Sequence, residues 1–204
     1  EIGSGLVGSE MCIRDSFEVE LHPEHPEFGT RKVTFSRELY VEQDDFMAEP
    51  VKKYFRLFPG NEVRFKSAYF IKCNSYDTDE NGNVTCLHCT YDPESRGGNS
   101  PDGRKVKGTI HWVNANDCKQ CEVRLYDRLF SAEEPGKNGD YFDDLNPDSL
   151  EVIENCLLEG GFENAKPGDT FQFMRNGYFC VDKDSTEDKL VFNRTVALNS
   201  SWGK

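Results

Sequence analysis

Two cysteine pairs, Cys86-x-x-Cys89 and Cys118-x-x-Cys121, are the first residues whose types and spacing could do chemistry. Four thiolates so spaced form a donor set for tetrahedral zinc. However, Cys86 and Cys89 fall within one alternating run, where residues three apart point to opposite sides of a strand. No tight glycine turn separates them, so zinc is not expected there and no metal ligand is assigned. Asp77-x-Asp79-x-Asn81-Gly82 imitates the start of a calcium loop. Its twelfth position is His88, where that geometry needs a bidentate Glu. A hairpin at Asn81-Gly82 accounts for the same residues. The four histidines are scattered. No Ser/His/Asp or Cys/His set follows from spacing, and no glycine loop suits a phosphate. No catalytic residue is expected.

Basic residues interleaved with aromatics carry a different chemistry. They are Tyr54-Phe55-Arg56, Arg64-Phe65-Lys66 and Gln172-Phe173-Met174-Arg175. Single-stranded RNA is read by stacking splayed bases on aromatic or guanidinium planes and bonding their edges. Arg donates bidentately to guanine O6/N7, and the Gln amide offers both a donor and an acceptor to a uracil edge. The same spacing also fits an ordinary solvated strand face. The formal net charge of −13 opposes a long-range electrostatic nucleic-acid binder. Any RNA contact must therefore rest on local pockets.

The elements that would position these groups read as strands. Residues 103–113 alternate, with Val106, Gly108, Ile110 and Trp112 on one face and Lys105, Lys107, Thr109 and His111 on the other. Gly108, on the apolar face, leaves room for another backbone. Residues 122–130 alternate too, with Val123, Leu125 and Leu129 inward and Arg124 and Arg128 outward. An antiparallel pair of these two runs is the simplest reading. Residues 62–73 read as one strand, 84–91 as its partner, and 150–158, 170–175, 178–182 and 190–198 as further strands. Asn176-Gly177 reads as a hairpin turn, 92–103 as a mobile polar loop, and Asp44 or Asp45 as the cap of a short helical stretch ending near Leu57. Short strands with turns between them indicate an all-β sandwich or barrel.

The 204 residues suit one domain or two small ones. No run approaches the ~20 apolar residues of a membrane span. The eight cysteines form no dense secreted pattern and no secretory signal is present, which suits a reducing cytosol. Met11-Cys12-Ile13-Arg14-Asp15-Ser16 is similar to the translation of a transposase sequencing adapter. Residues 1–16 are thus expected to be a disordered library artefact, set aside from the fold.

Several stretches together resemble the C-terminal anticodon-binding region of glutaminyl-tRNA synthetase, a class I aminoacyl-tRNA synthetase. They are His25 to Arg31 (HPEFGTR), 89–92 (CTYD), 103–113 (GRKVKGTIHWV), 122–130 (EVRLYDRLF), 146–150 (NPDSL), 171–173 (FQF), 177–182 (GYFCVD) and 191–196 (VFNRTV). The resemblance covers residues 17–204 and implies two β-barrels, one over 17–118 and one over 119–204, with terminal strands able to be shared. It implies that Arg56 reads the third anticodon base, that Gln172 and Arg175 read the middle base, and that Arg64 with Lys66 lines the pocket of the first. The family often has Arg where Lys66 stands, and a point charge does not replace a guanidinium fork without loss. The implied partner is the anticodon loop of a glutamine tRNA. The implied parent reaction is ATP-dependent glutaminylation by a catalytic domain missing from this sequence, where ATP and Mg would bind. No cofactor is expected here. The stretch alone is expected to be a catalytically inert, cytoplasmic monomer without membrane contact. Two alternatives stay open: the anticodon-binding part of an archaeal or eukaryotic-type glutamyl-tRNA synthetase, and a β-barrel protein-interaction module without RNA affinity. The polar run 116–121 departs from the apolar linker expected between the two barrels.

Overall fold

The computed structural model describes residues 2–7, 15–21 and 25–198. In chain order the strands are β1 (Ile2–Val7), β2 (Asp15–Glu20), β3 (Thr30–Phe35), β4 (Glu38–Glu42), β5 (Glu62–Phe65), β6 (Phe70–Thr78), β7 (Val84–Asp92), β8 (Thr109–Ile110), β9 (Val113–Asn114), β10 (Lys119–Tyr126), β11 (Leu150–Leu158), β12 (Thr170–Phe173), β13 (Gly177–Val181) and β14 (Leu190–Val196). Helix among the described residues is limited to short 3₁₀ turns. The class is all-β, as the strand patterns indicated. No described helix is long and apolar enough to cross a membrane.

Two compact units form, residues 1–119 with 157–163, and residues 120–156 with 164–204. The first holds a seven-stranded sheet in the order β8-β5-β6-β7-β1-β4-β9 and the separate pair β2-β3. Its outermost strands, β8 and β9, are separated in the chain only by His111 and Trp112. Ile110 and Val113 can therefore lie at most ~11 Å apart, whereas seven strands laid flat would span ~29 Å. The sheet must curl until its edges meet. The ladder itself stays open among the described residues, so "barrel" here describes curvature and not a closed hydrogen-bonded ring. Phe35, Val63, Phe65, Ile71, Ile110 and Trp112 fill the concave side. The Phe35 ring meets Tyr69 and Trp112 edge-on at 5.2 Å, a geometry aromatic quadrupoles favour.

Several sequence expectations are corrected. Residues 62–73 are a hairpin and not one strand. Ser67 turns the chain at φ 61°, Phe65 N–H donates to Tyr69 O at 2.8 Å, and Ala68 N–H donates to Phe65 O at 2.9 Å. Ala68, Tyr69, Phe70 and Ile71 are all buried, and core packing at this turn overrides alternation. Residues 103–113 keep their predicted faces but supply only β8 and β9, because 109–110 pair with β5 and 113–114 with β4, at opposite edges of the sheet. They do not pair with β10, which belongs to the second unit's sheet. Strand β10 ends at Tyr126, and Leu129 is 58% exposed, not inward. The helix expected before Leu57 is a single 3₁₀ turn, Gln43–Asp45, followed by a parallel bridge from Phe46 to Leu57. The loop after β7 is tied down, with Phe70 N–H donating to the buried Ser95 Oγ at 2.7 Å. Of residues 1–16, Ile2–Val7 form a strand and Asp15 and Ser16 open β2, so disorder does not describe them. Residues 11–14 of the adapter-like segment lie outside the described residues.

Hydrogen bonds account for the polar run after β9. Asn116 Nδ2 donates to Ser36 Oγ at 2.9 Å, and Thr34 Oγ1 donates to Asp117 Oδ2. The linker is fixed by polar contacts where apolar burial was expected. Segment 157–163 is held within the first unit by Arg31, which donates to Glu159 and to Gly160 O. In the second unit the sheet order is β11-β10-β14-β13-β12. Strand β14 runs parallel to β10 and antiparallel to β13.

Candidate nucleic-acid interface

Arg56 owes its position to the bridge at Leu57. Leu57 N–H donates to Asp45 O at 2.9 Å, and Met47 N–H returns a bond to Leu57 O at 3.0 Å. This brings Arg56 Nε to 3.4 Å from Asp45 Oδ1, and Arg56 Nη1 donates to Asp44 O at 2.9 Å. Asp45 is fully buried while the Arg56 side chain is 41% exposed. The guanidinium is thus oriented from beneath and presented at the surface. Tyr54 OH donates to the same Asp44 carbonyl at 3.1 Å.

The 54–56 segment lies against the chain entering β8. A Cβ on Gly108 would stand 1.8 Å from Phe55 O, so only glycine lets these two backbones pass. The close approach inferred from the sequence is thereby met. It also seats Lys107 Nζ 5.0 Å from the centroid of the half-exposed Phe55 ring, within cation–π range.

Arg64 lies on β5 and Lys66 in the turn that follows. Arg64 lies over the buried Phe70 ring, its Cζ 5.3 Å from the centroid, and its Nε donates to Gly98 O. Among the described residues no carboxylate pairs with Arg64 or Lys66. Lys66 is exposed, but its backbone is anchored, with N–H to Ile110 O at 3.0 Å and C=O accepting from Trp112 Nε1 at 3.0 Å. Beside Arg64 opens a groove of about 440 Å³, lined by Arg64, Asn99, Ser100, Arg104, Lys105 and Lys107, with Phe70 and Val106. Arg104 is committed to structure. It binds Glu62, Asp92 and Asp102, and these carboxylates, Glu62 first, raise its pKa further. Lys105 and Lys107 were foreseen as a projecting pair. Asn99 and Ser100 sat in a featureless polar loop, and nothing in their spacing marked them.

Gln172 and Arg175 belong to the second unit. Gln172 is exposed on β12, directly across from Tyr178 on β13, itself 40% exposed. Arg175 sits in the connecting turn at φ 65°. The left-handed residue of this turn is thus Arg175 and not Asn176. Gly177 follows at φ 134°, where a Cβ would meet Val196 O at 2.3 Å. The hairpin brings an amide, a phenol ring and a guanidinium to one loop end. The first unit separately brings together the 54–56 segment, Lys107 and the groove beside Arg64.

The cysteine spacing forms no four-thiolate group among the described residues. Cys86 is half-buried and Cys89 buried on the other face of β7, as strand alternation requires. Asp79 binds the N–H groups of Asn81 and Asn83 at 2.8 Å each, so the calcium-like run is a hairpin loop.

Two family models, each described as the anticodon-binding domain of class I tRNA synthetases (E and Q), match residues 9–92 and 109–182. The chain is similar to proteins named glutamine–tRNA ligase. It is 51% identical to that of Bradyrhizobium diazoefficiens (90% of this chain, 33% of the relative), 53% to that of Clostridium perfringens (91% and 34%) and 49% to that of Aliivibrio fischeri (92% and 34%). The chain spans about a third of the length of these relatives.

Proposed function

We propose that this chain, which belongs to the anticodon-binding domain family of class I tRNA synthetases (E and Q), binds the anticodon loop of a glutamine tRNA as part of a glutamine–tRNA ligase. The observation that carries this reading is the near-half identity to glutamine–tRNA ligases across nine-tenths of the chain. Arg56 reads the third anticodon base through the guanidinium that Asp45 orients. Gln172 and Arg175 read the middle base, and Tyr178 offers a stacking surface beside them. Arg64 and Lys66 receive the first base next to the groove, where Lys105 and Lys107 meet phosphate. ATP-dependent attachment of glutamine belongs to the whole ligase, whose catalytic part would bind ATP and Mg. In this reading the working form is a cytoplasmic monomer in which the catalytic part shares the chain.

The test is titration of a glutamine anticodon stem-loop, and of the same loop with its third base changed from guanine to cytosine, the glutamate letter. Binding should fall at least about tenfold with the change, as one lost base contact implies. It should weaken with salt in proportion to the few phosphates met. Equal affinity for both loops would remove glutamine specificity from this stretch. Tighter binding to the cytosine loop would favour a glutamyl enzyme, and no binding to either a protein-interaction module.

A further inference from the structure

The β6–β7 hairpin carries three unlike metal-ligating groups on one face. Asp77 on β6 is directly opposite Cys86 on β7, and His88 stands two residues along β7, opposite Ser75. Cross-strand partners and i, i+2 neighbours share a face. The ligating atoms of Asp77, Cys86 and His88 all lie within 4.8 Å of one another, and His88 Nε2 is 2.8 Å from Asp77 Oδ2. This set is independent of the Cys-x-x-Cys spacing, because Cys89 faces the core.

We propose that Asp77, Cys86 and His88 form a surface site for a zinc-class divalent ion, with water as fourth ligand. The donor chemistry is one thiolate, one imidazole and one carboxylate. That set suits a borderline ion and not Mg or Ca, which prefer oxygen alone. The geometry needs little change. Tetrahedral Zn–N and Zn–O bonds of ~2.0–2.1 Å place the two atoms ~3.3 Å apart. The Asp77–His88 contact then opens by ~0.5 Å, within side-chain rotation. On binding, the Cys86 S–H bond breaks, its proton leaves to solvent, and sulfur donates its electron pair to the ion. His88 binds as neutral imidazole and gives up its contact with Asp77. The ladder shifts register between Cys73 and Ser75 and again between Asp77 and Thr78. The ion would tie the two strands where the backbone pairing is irregular.

The experiment uses the full chain, reduced and metal-free, titrated with Co²⁺ and then competed with Zn²⁺. One equivalent of Co²⁺ should produce tetrahedral d–d bands and a thiolate charge-transfer band, both abolished by one equivalent of Zn²⁺. Cys86→Ser should remove the charge-transfer band. His88→Ala and Asp77→Ala should each weaken binding by at least about tenfold, since even outer partners of metal ligands cost that much. Cys180→Ser, which removes a thiol of the second unit, should change nothing. Circular dichroism on each variant confirms that the fold is kept. Absence of saturable binding at micromolar Co²⁺ would overturn the proposal, and so would a charge-transfer band that survives Cys86→Ser.

Discussion

Substituting Arg56 separates its contact with Asp45 from the base-reading role proposed for it. Its guanidinium is 3.4 Å from a fully buried carboxylate, yet 41% of the side chain remains exposed. Breaking a fully buried pair costs about 3–5 kcal/mol, and an exposed one about 0–1 kcal/mol. Arg56 and Asp45 stand between these limits, and Asp45 keeps further contacts of its own. Arg56→Ala should therefore destabilise the first unit by about 1–3 kcal/mol. Separately, the lost base contact should weaken stem-loop binding by about 1–3 kcal/mol. Asp45→Asn divides the two effects. It keeps shape and removes charge, so the guanidinium stays but is less firmly aimed, and affinity should fall only severalfold. Arg56→Lys keeps charge without the fork and should recover little. Stability is read from urea midpoints at constant m-value, and affinity from anisotropy at fixed salt with the cognate and third-base-changed loops. The decisive quantity is the difference between loops. If folded Arg56→Ala loses equal affinity for both, Arg56 is a phosphate or packing contact, and the base-reading argument fails.

Gly108→Ala is expected to destabilise by at least about 2 kcal/mol, because the added Cβ meets a backbone carbonyl that cannot rotate away. It should also lower stem-loop affinity by displacing the 54–56 segment; a variant with wild-type midpoint and affinity would show that the two backbones are not held together. Acid should unfold the first unit through its carboxylates. Arg96 holds Asp15 well below the usual range, against the upward pull of partial burial and with help from Tyr69. Burial pushes Glu159 up, but His111 and Arg31 bring it net below its usual value. A carboxyl lowered on folding stabilises above its unfolded value, and that contribution is lost as pH falls through the folded one. Stability should be level above about pH 5 and fall below the ordinary values, 3.8 for Asp and 4.5 for Glu. Asp15→Asn should lower neutral-pH stability and flatten the acid limb. An acid limb parallel to that of the parent would refute the assignment.

Fold class was legible because turn residues and alternation are local signals. Asn81-Gly82 marked a hairpin, and Gly108 marked a backbone crossing before any partner was known. The 62–73 hairpin was not legible. Its turn residue is Ser67, which gives no sign of a left-handed conformation, and the buried run after it imitates a continuing strand. The two-edge role of 109–114 was hidden for a related reason. Alternation reports which way side chains face, not which strand each residue pairs with. At the site, Arg56 and Arg64 were found as residues next to aromatics, but their supports were not. Asp45 read as a helix cap, and Gly98, which accepts from Arg64, read as loop.

The charge balance explains which cations remain for a ligand. In a chain of net charge −13 most guanidinium groups should be neutralised internally, and many are. Arg31 pairs with Glu159, Arg96 with Asp15, Arg104 with three carboxylates, and Arg124 with Glu122 and Asp184. These partners lie far apart in sequence, so no reading of spacing distinguishes a structural arginine from a reading one. Arg64, Lys66, Lys105 and Lys107 make no ion pair among the described residues, and three of them line the groove. Salt screens the net negative charge beyond about 8–10 Å, so an RNA is neither steered in nor strongly repelled from a distance. In the function proposed above, a loop that splays its bases to the surface meets these four cations at short range. On that proposal discrimination rests on short-range fit and not on attraction, which is what telling one loop from many similar ones requires.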